Sequence, residues 1–143
     1  MKKLNETDPS KEEKQDGSNG DILSMLIPEE RPELRVTGIY GDVSEEKASE
    51  AIYGLHALHL TGQKQGFVNP EDPESEVYTS YEPIEFIIST HGGLAAEMFS
   101  VYDTIRQIRE TTPVLTKGLG KVMSAGVLLL ACGTKGERRI GRY

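Results

Sequence analysis

Tryptophan is absent from this 143-residue chain, and phenylalanine and tyrosine together are scarce, at three and six. Any core must therefore be built mainly from aliphatic side chains. A single cysteine, Cys132, excludes an intrachain disulfide and fits a reducing compartment. Positive charge is in deficit: 16 Lys and Arg stand against 23 Asp and Glu, for a net charge of −7 and a pI near 5.0. That balance argues against binding a phosphate backbone, which needs clustered cations, so no nucleic-acid partner is expected. Long apolar runs are missing too. The longest, Val122 to Cys132, is interrupted by Ser124 and falls well short of the ~20 residues of a membrane span. Met1 to Gly20 carries Lys2, Lys3, Lys11 and Lys14 with no apolar segment behind them, unlike a secretory signal. A soluble, cytoplasmic protein without membrane contact is expected. The length suits one domain with a real core.

Residues 1–20 are nearly devoid of large apolar side chains and cannot offset their own ordering entropy, so a disordered polar tail is expected there. The domain is expected over residues 21–143. Pro28 and Pro32 keep its apolar start from becoming a long helix. Arg35 to Tyr40 reads as a strand running into a Gly41–Asp42 turn. Ser44 offers an N-cap, and Ala48, Ala51, Ile52, Leu55 and Leu58 recur at helical spacing, predicting an amphipathic helix over 45–60. Residues 63–83 hold Gly66, Pro70, Pro73 and five acidic side chains, and are expected to form an acidic loop insert.

After Pro83 the pattern sharpens. Ile84 to Thr90 is a strand-length, β-branched run, and His91–Gly92–Gly93 breaks it. Met98, Val101, Tyr102, Ile105 and Ile108 mark one face of a helix within 95–110. Pro113 to Lys117 reads as another strand. Met123 to Cys132, apolar on nearly every side, predicts a buried helix with Gly133 at its C′ position. Arg138 to Tyr143 begins a further strand. Strand and helix in alternation imply parallel pairing in an α/β fold.

Two segments could carry chemistry. Gly92–Gly93, between a strand and a helix, lets the backbone bend sharply and leaves amide hydrogens free to stabilise an oxyanion; it equally suits a plain tight turn. Ser124 places a hydroxyl at the mouth of an oily helix, where it could be an N-cap, or a nucleophile with the Ala125 amide beside it.

Taken together, IISTHGG (87–93), SVYDTI (100–105) and GKVMSAGVLLLACGTKGERR (120–139) resemble the proteolytic subunit of the ATP-dependent Clp protease. Its members typically read INSPGG, then a YDT-type helix, then GxAASMGALLLAAGTKGKR. The resemblance is strong over 84–143 and weak over 35–60. It implies a ClpP/crotonase-like fold of stacked ββα units, incomplete at the C-terminus of this chain. It implies Ser124 as the catalytic serine and the backbone amides of Gly93 and Ala125 as the oxyanion hole. Stacked heptameric rings of the chain, a hexameric Clp-type unfolding ATPase and polypeptide substrates would follow, with no cofactor and no metal.

This chain departs from the pattern at His91 (for proline), Ser89 (for asparagine) and Val122–Met123 (for Ala-Ala). Val122 also breaks both a phosphate-binding Gly-rich motif and the Gly-x-Ser-x-Gly elbow of α/β hydrolases. The triad histidine and aspartate of the family would fall beyond Tyr143, so this stretch alone is expected to lack peptidase activity. Among the histidines present, His91 reads as a turn residue, and His56 and His59 as an exposed helix face. Cys132 reads as core packing. A non-catalytic ring or scaffold subunit is the alternative reading, and a crotonase-like acyl-CoA enzyme is disfavoured by the serine motif.

Overall fold

In the computed structural model, residues 33–142 are described; the polar tail expected at 1–20, the prolines at 28 and 32, and Tyr143 lie outside them. Among the described residues six strands and three helices follow in the order β1 (Val36–Tyr40), α1 (Glu45–Thr61), β2 (Gln63–Phe67), β3 (Val77–Tyr81), β4 (Ile84–Thr90), α2 (Ala95–Ile108), β5 (Val114–Val122), α3 (Ala125–Ala131) and β6 (Arg138–Ile140). Strands β1, β4, β5 and β6 lie side by side in that order, all parallel. Each neighbouring pair is joined through a helix, and such crossovers are right-handed almost without exception, which gathers the helices on one face.

The burial of the strands agrees. Ile84, Phe86 and Ile88 of β4 are fully buried, while the alternate residues Glu85 and Ile87 are half-exposed. Thr37, Phe86 and Thr116 stand in register across three strands on the covered face, followed by Ile39, Ile88 and Gly118. Against them pack Ala48, Ala51 and Leu55 of α1, Met98, Val101 and Ile105 of α2, and Ala125 and Leu129 of α3. Among the described residues the sixteen buried apolar side chains include one aromatic, Phe86, as the scarcity of aromatics requires.

The first helix starts as its sequence dictates: Ser44 has extended backbone and its hydroxyl accepts from the Lys47 amide at 3.4 Å, with Glu45 and Glu46 in the first turn. Three expectations need correction. Residues 63–83 are not a loop: β2 and β3 form an antiparallel hairpin, from Gln63 opposite Tyr81 to Phe67 opposite Val77. Its root is tied by long-range contacts. The Arg35 guanidinium donates to the carbonyls of Pro83 (3.2 Å) and Leu58, and Glu82 pairs with both Arg35 and Lys64. The last helix, α3, is shorter than expected and only one side of it is buried; Met123, Val127 and Leu128 are about half exposed. Gly133 does not have the left-handed conformation of a C′ glycine. It is required instead by close approach, because a Cβ there would lie 2.3 Å from Thr116 Oγ1.

No helix among the described residues is long and apolar enough to cross a membrane.

Candidate active site

Strands β4 and β5 end beside each other, Thr90 pairing with Val122, and each strand then turns into a helix. The carboxyl ends of parallel strands are where open α/β sheets place ligands. Thr90 is the pin of this corner. Its hydroxyl accepts from the Gly92 amide (2.9 Å) and donates to the Gly92 carbonyl (3.2 Å), while its own carbonyl accepts from Met123 N (3.0 Å). One fully buried threonine thus fixes both the glycine turn and the approach to Ser124. Sequence reasoning treated Thr90 as the end of a strand and missed this role; a hydroxyl two residues before Gly92, in ST-turn position, was the available signal.

The glycine turn is held from its other side by Val43. Val43 N donates to Gly92 O and Leu94 N donates to Val43 O, both at 2.9 Å. Gly93 lies so close to this segment that a Cβ would meet Val43 O at 2.3 Å. Gly92, at φ +117°, lies against Ser124.

Ser124 is the one non-glycine residue among those described with positive φ, at φ 50° and ψ −118°. This conformation costs an L-residue on the order of 1–3 kcal/mol and is kept only where the surroundings impose it. It holds Ser124 on a sharp strand-to-helix turn with its side chain exposed. As an ordinary N-cap, its hydroxyl would accept from an amide of the first helical turn. It does not, and makes no hydrogen bond among the described residues. Behind the turn, Gly126 packs on Thr90, its absent Cβ leaving room 2.7 Å from Thr90 Cγ2. The backbone amides of Gly93 and Ala125 donate to no acceptor among the described residues. An exposed hydroxyl and two unused N–H groups therefore stand at one corner of the sheet, the parts an acyl-transfer site needs apart from a base.

No histidine or carboxylate among the described residues reaches Ser124 Oγ. His91 is exposed beside the glycine turn, and Asp103 is exposed on α2. His56 is exposed, but His59 is not, which corrects the reading of both as one open face. His59 is half-buried, with Nδ1 2.7 Å from Thr112 Oγ1 and its ring stacked on Tyr81 at 5.0 Å. Cys132 is buried, and burial pushes its thiol up to about 12, so it is an inert packing group.

Residues 75–141 match the family model of the Clp protease. Among solved structures, the crystal structure of the ClpP protease catalytic domain from Plasmodium falciparum is similar, with a TM-score of 0.57 and 22% sequence identity. The alignment covers 74% of this chain and 49% of that one, so the chain spans about half the length of the structure it matches. At that identity the structural likeness is one of fold: a mixed α/β unit with a parallel sheet and helices.

Proposed function

We propose that this chain, which is ClpP-like in sequence and fold, supplies the nucleophile and oxyanion-binding part of a serine endopeptidase. The observation that carries the reading is Ser124: exposed, held at positive φ against Gly92, and at the helix N-cap without a capping hydrogen bond from its hydroxyl. In this reading Ser124 Oγ attacks the peptide carbonyl carbon, and the carbonyl oxygen takes up negative charge facing the amides of Gly93 and Ala125. A general base accepts the Oγ proton and returns it to the leaving amine, and water then releases the acyl group by the reverse proton transfers. The base is a histidine, oriented by an aspartate, both from sequence following Tyr143. The substrates are unfolded polypeptides, delivered by a Clp-type ATPase into stacked heptameric rings of the chain in the cytoplasm.

That no histidine or carboxylate among the described residues hydrogen-bonds to Ser124 Oγ favours a second reading, a ring or scaffold subunit that retains the fold without catalysis. A fluorophosphonate probe separates the two. Applied to the protein expressed with the sequence its gene encodes after Tyr143, the first reading expects a covalent adduct on Ser124, lost in Ser124→Ala. No adduct on Ser124 would leave the scaffold reading.

A further inference from the structure

Charge is segregated along this acidic chain: no lysine or arginine lies between Lys64 and Arg106, and the only carboxylates between Arg106 and Arg142 are Glu110 and Glu137. Four of the cations and four of the carboxylates gather at two separate places. Arg106, Arg109, Lys135 and Arg138 line a cavity of about 470 Å³ between the C-terminal ends of α2 and α3. No carboxylate lines it, and Glu137 is occupied by Arg139 at 3.5 Å. Two of the guanidiniums are already positioned. Arg109 Nη1 donates to the carbonyls of Cys132 (2.6 Å) and Gly133 (3.0 Å), and Arg138 Nη1 to that of Ala131 (3.2 Å). Their remaining N–H groups stay available for an anion. None of the four cations is in an ion pair among the described residues.

The opposite charge sits on the hairpin tip. Glu71, Asp72, Glu74 and Glu76 are exposed in a turn that is itself ordered by Asn69 Oδ1 accepting from Glu71 N, Asp72 Oδ1 accepting from Glu74 N, and Ser75 Oγ donating to Asn69 O. The carboxylates of Glu71, Glu74 and Glu76 pair with no cation among the described residues. Phe67, Val68, Val77 and Tyr78 are exposed just below the tip. An isolated two-stranded hairpin with an uncovered apolar surface is marginal in water.

We infer that the acidic hairpin tip of one copy of this chain seats in the basic cavity of a second copy, forming a head-to-tail interface. The topology suits it. Helices α1, α2 and α3 lie side by side, with α2 touching both others, and each runs back against its strands. The hairpin leaves the C-terminal end of α1, and the cavity lies at the C-terminal ends of α2 and α3. Both therefore face the same edge of the sheet, on opposite flanks, away from the corner that holds Ser124. Tip and cavity are different surfaces, so the contact is heterologous: each copy gives one and receives one, and repetition closes a ring or extends a filament. A pre-ordered tip and anchored guanidiniums lose little freedom on docking. The inference does not depend on the chemistry of Ser124.

Sedimentation velocity on the 143-residue chain tests it with a charge swap. The wild type should self-associate at low salt and dissociate as salt rises. Glu71→Lys with Glu74→Lys should weaken assembly about tenfold or more, and so should Arg106→Glu with Lys135→Glu. An equimolar mixture of these two variants should associate where neither does alone, because each tip then meets a cavity of opposite sign. Circular dichroism checks that both fold; if a reversal does not, the neutral set (Glu71→Gln with Glu74→Gln, Arg106→Gln with Lys135→Gln) replaces it and should show the same weakening. Ser124→Ala should assemble like the wild type, which separates this outcome from that of the peptidase reading. A monomeric wild type, assembly indifferent to the substitutions, or a silent mixture of folded variants would overturn the inference. So would loss of inorganic phosphate binding in the cavity variant with assembly unchanged, which would mark the cavity as a small-anion site.

Discussion

Gly92 and Ser124 touch so closely that a methyl group on the glycine would come within 2.7 Å of Ser124 Cβ and 3.0 Å of its Oγ. The contact joins two segments more than thirty residues apart and explains why the serine stays in a conformation that L-residues avoid. The turn at 91–93 supplies a wall, Thr90 fixes that wall to the end of β5, and the Ser124 hydroxyl is left without a hydrogen bond among the described residues.

Gly92→Ala should therefore damage the site more than the fold. Both the φ of +117° and the overlap with Ser124 penalise the methyl group, at about 1–3 kcal/mol of stability. Fluorophosphonate labelling should drop at least tenfold in a protein that still unfolds cooperatively in urea. Unchanged labelling would show that the Gly92 wall does not position Ser124.

Ser124 itself should show a trade between stability and reactivity. Ser124→Gly removes the penalty of φ 50° and ψ −118°, so it should be more stable than Ser124→Ala by about 1 kcal/mol. Urea midpoints for the pair decide this, and equal midpoints would mean the backbone there is not strained.

Gly133 tests a different constraint. Thr116 Oγ1 donates to Leu130 O at 2.8 Å, and an added Cβ at Gly133 would overlap that hydroxyl. Gly133→Ala should cost about 2 kcal/mol, and Thr116→Ala in the same chain should recover part of it. A glycine needed only for left-handed backbone would show no such rescue.

Alkaline pH should destabilise the protein through Cys132. Its folded pKa is about 12 against 9.0 for the free side chain, raised by burial. Between these values the unfolded chain has lost the thiol proton while the folded chain keeps it. Stability then falls as pH rises, by up to ~1.4 kcal/mol per pH unit from this group. Cys132→Ala should flatten the slope of urea stability above pH 9; an identical slope would assign the loss to other groups.

Much of the scaffold was legible because local pattern and tertiary burial agree there. The run Ile84 to Thr90 is β-branched and central, and the α1 and α2 faces follow the helical repeat. The hairpin was not legible. Gln63–Lys64–Gln65 has no strand-like alternation, and Pro70 and Pro73 read as loop punctuation when they sit in its tip; its root depends on Arg35, distant in sequence. The exposed side of α3 was hidden for the opposite reason, since no polar residue marks it. At the site, Ser124, Gly93 and Ala125 were singled out from the sequence, whereas the positive φ of Ser124 and the clasp by Thr90 arise only when two strand ends meet.

A crystal structure of the fluorophosphonate-treated protein, expressed through the sequence after Tyr143, addresses the central claim most directly. The account predicts phosphorus bonded to Ser124 Oγ and a phosphonyl oxygen within about 3 Å of both the Gly93 and Ala125 nitrogens. A Ser124 left unmodified, or an adduct whose oxygen turns to solvent away from both amides, would contradict it.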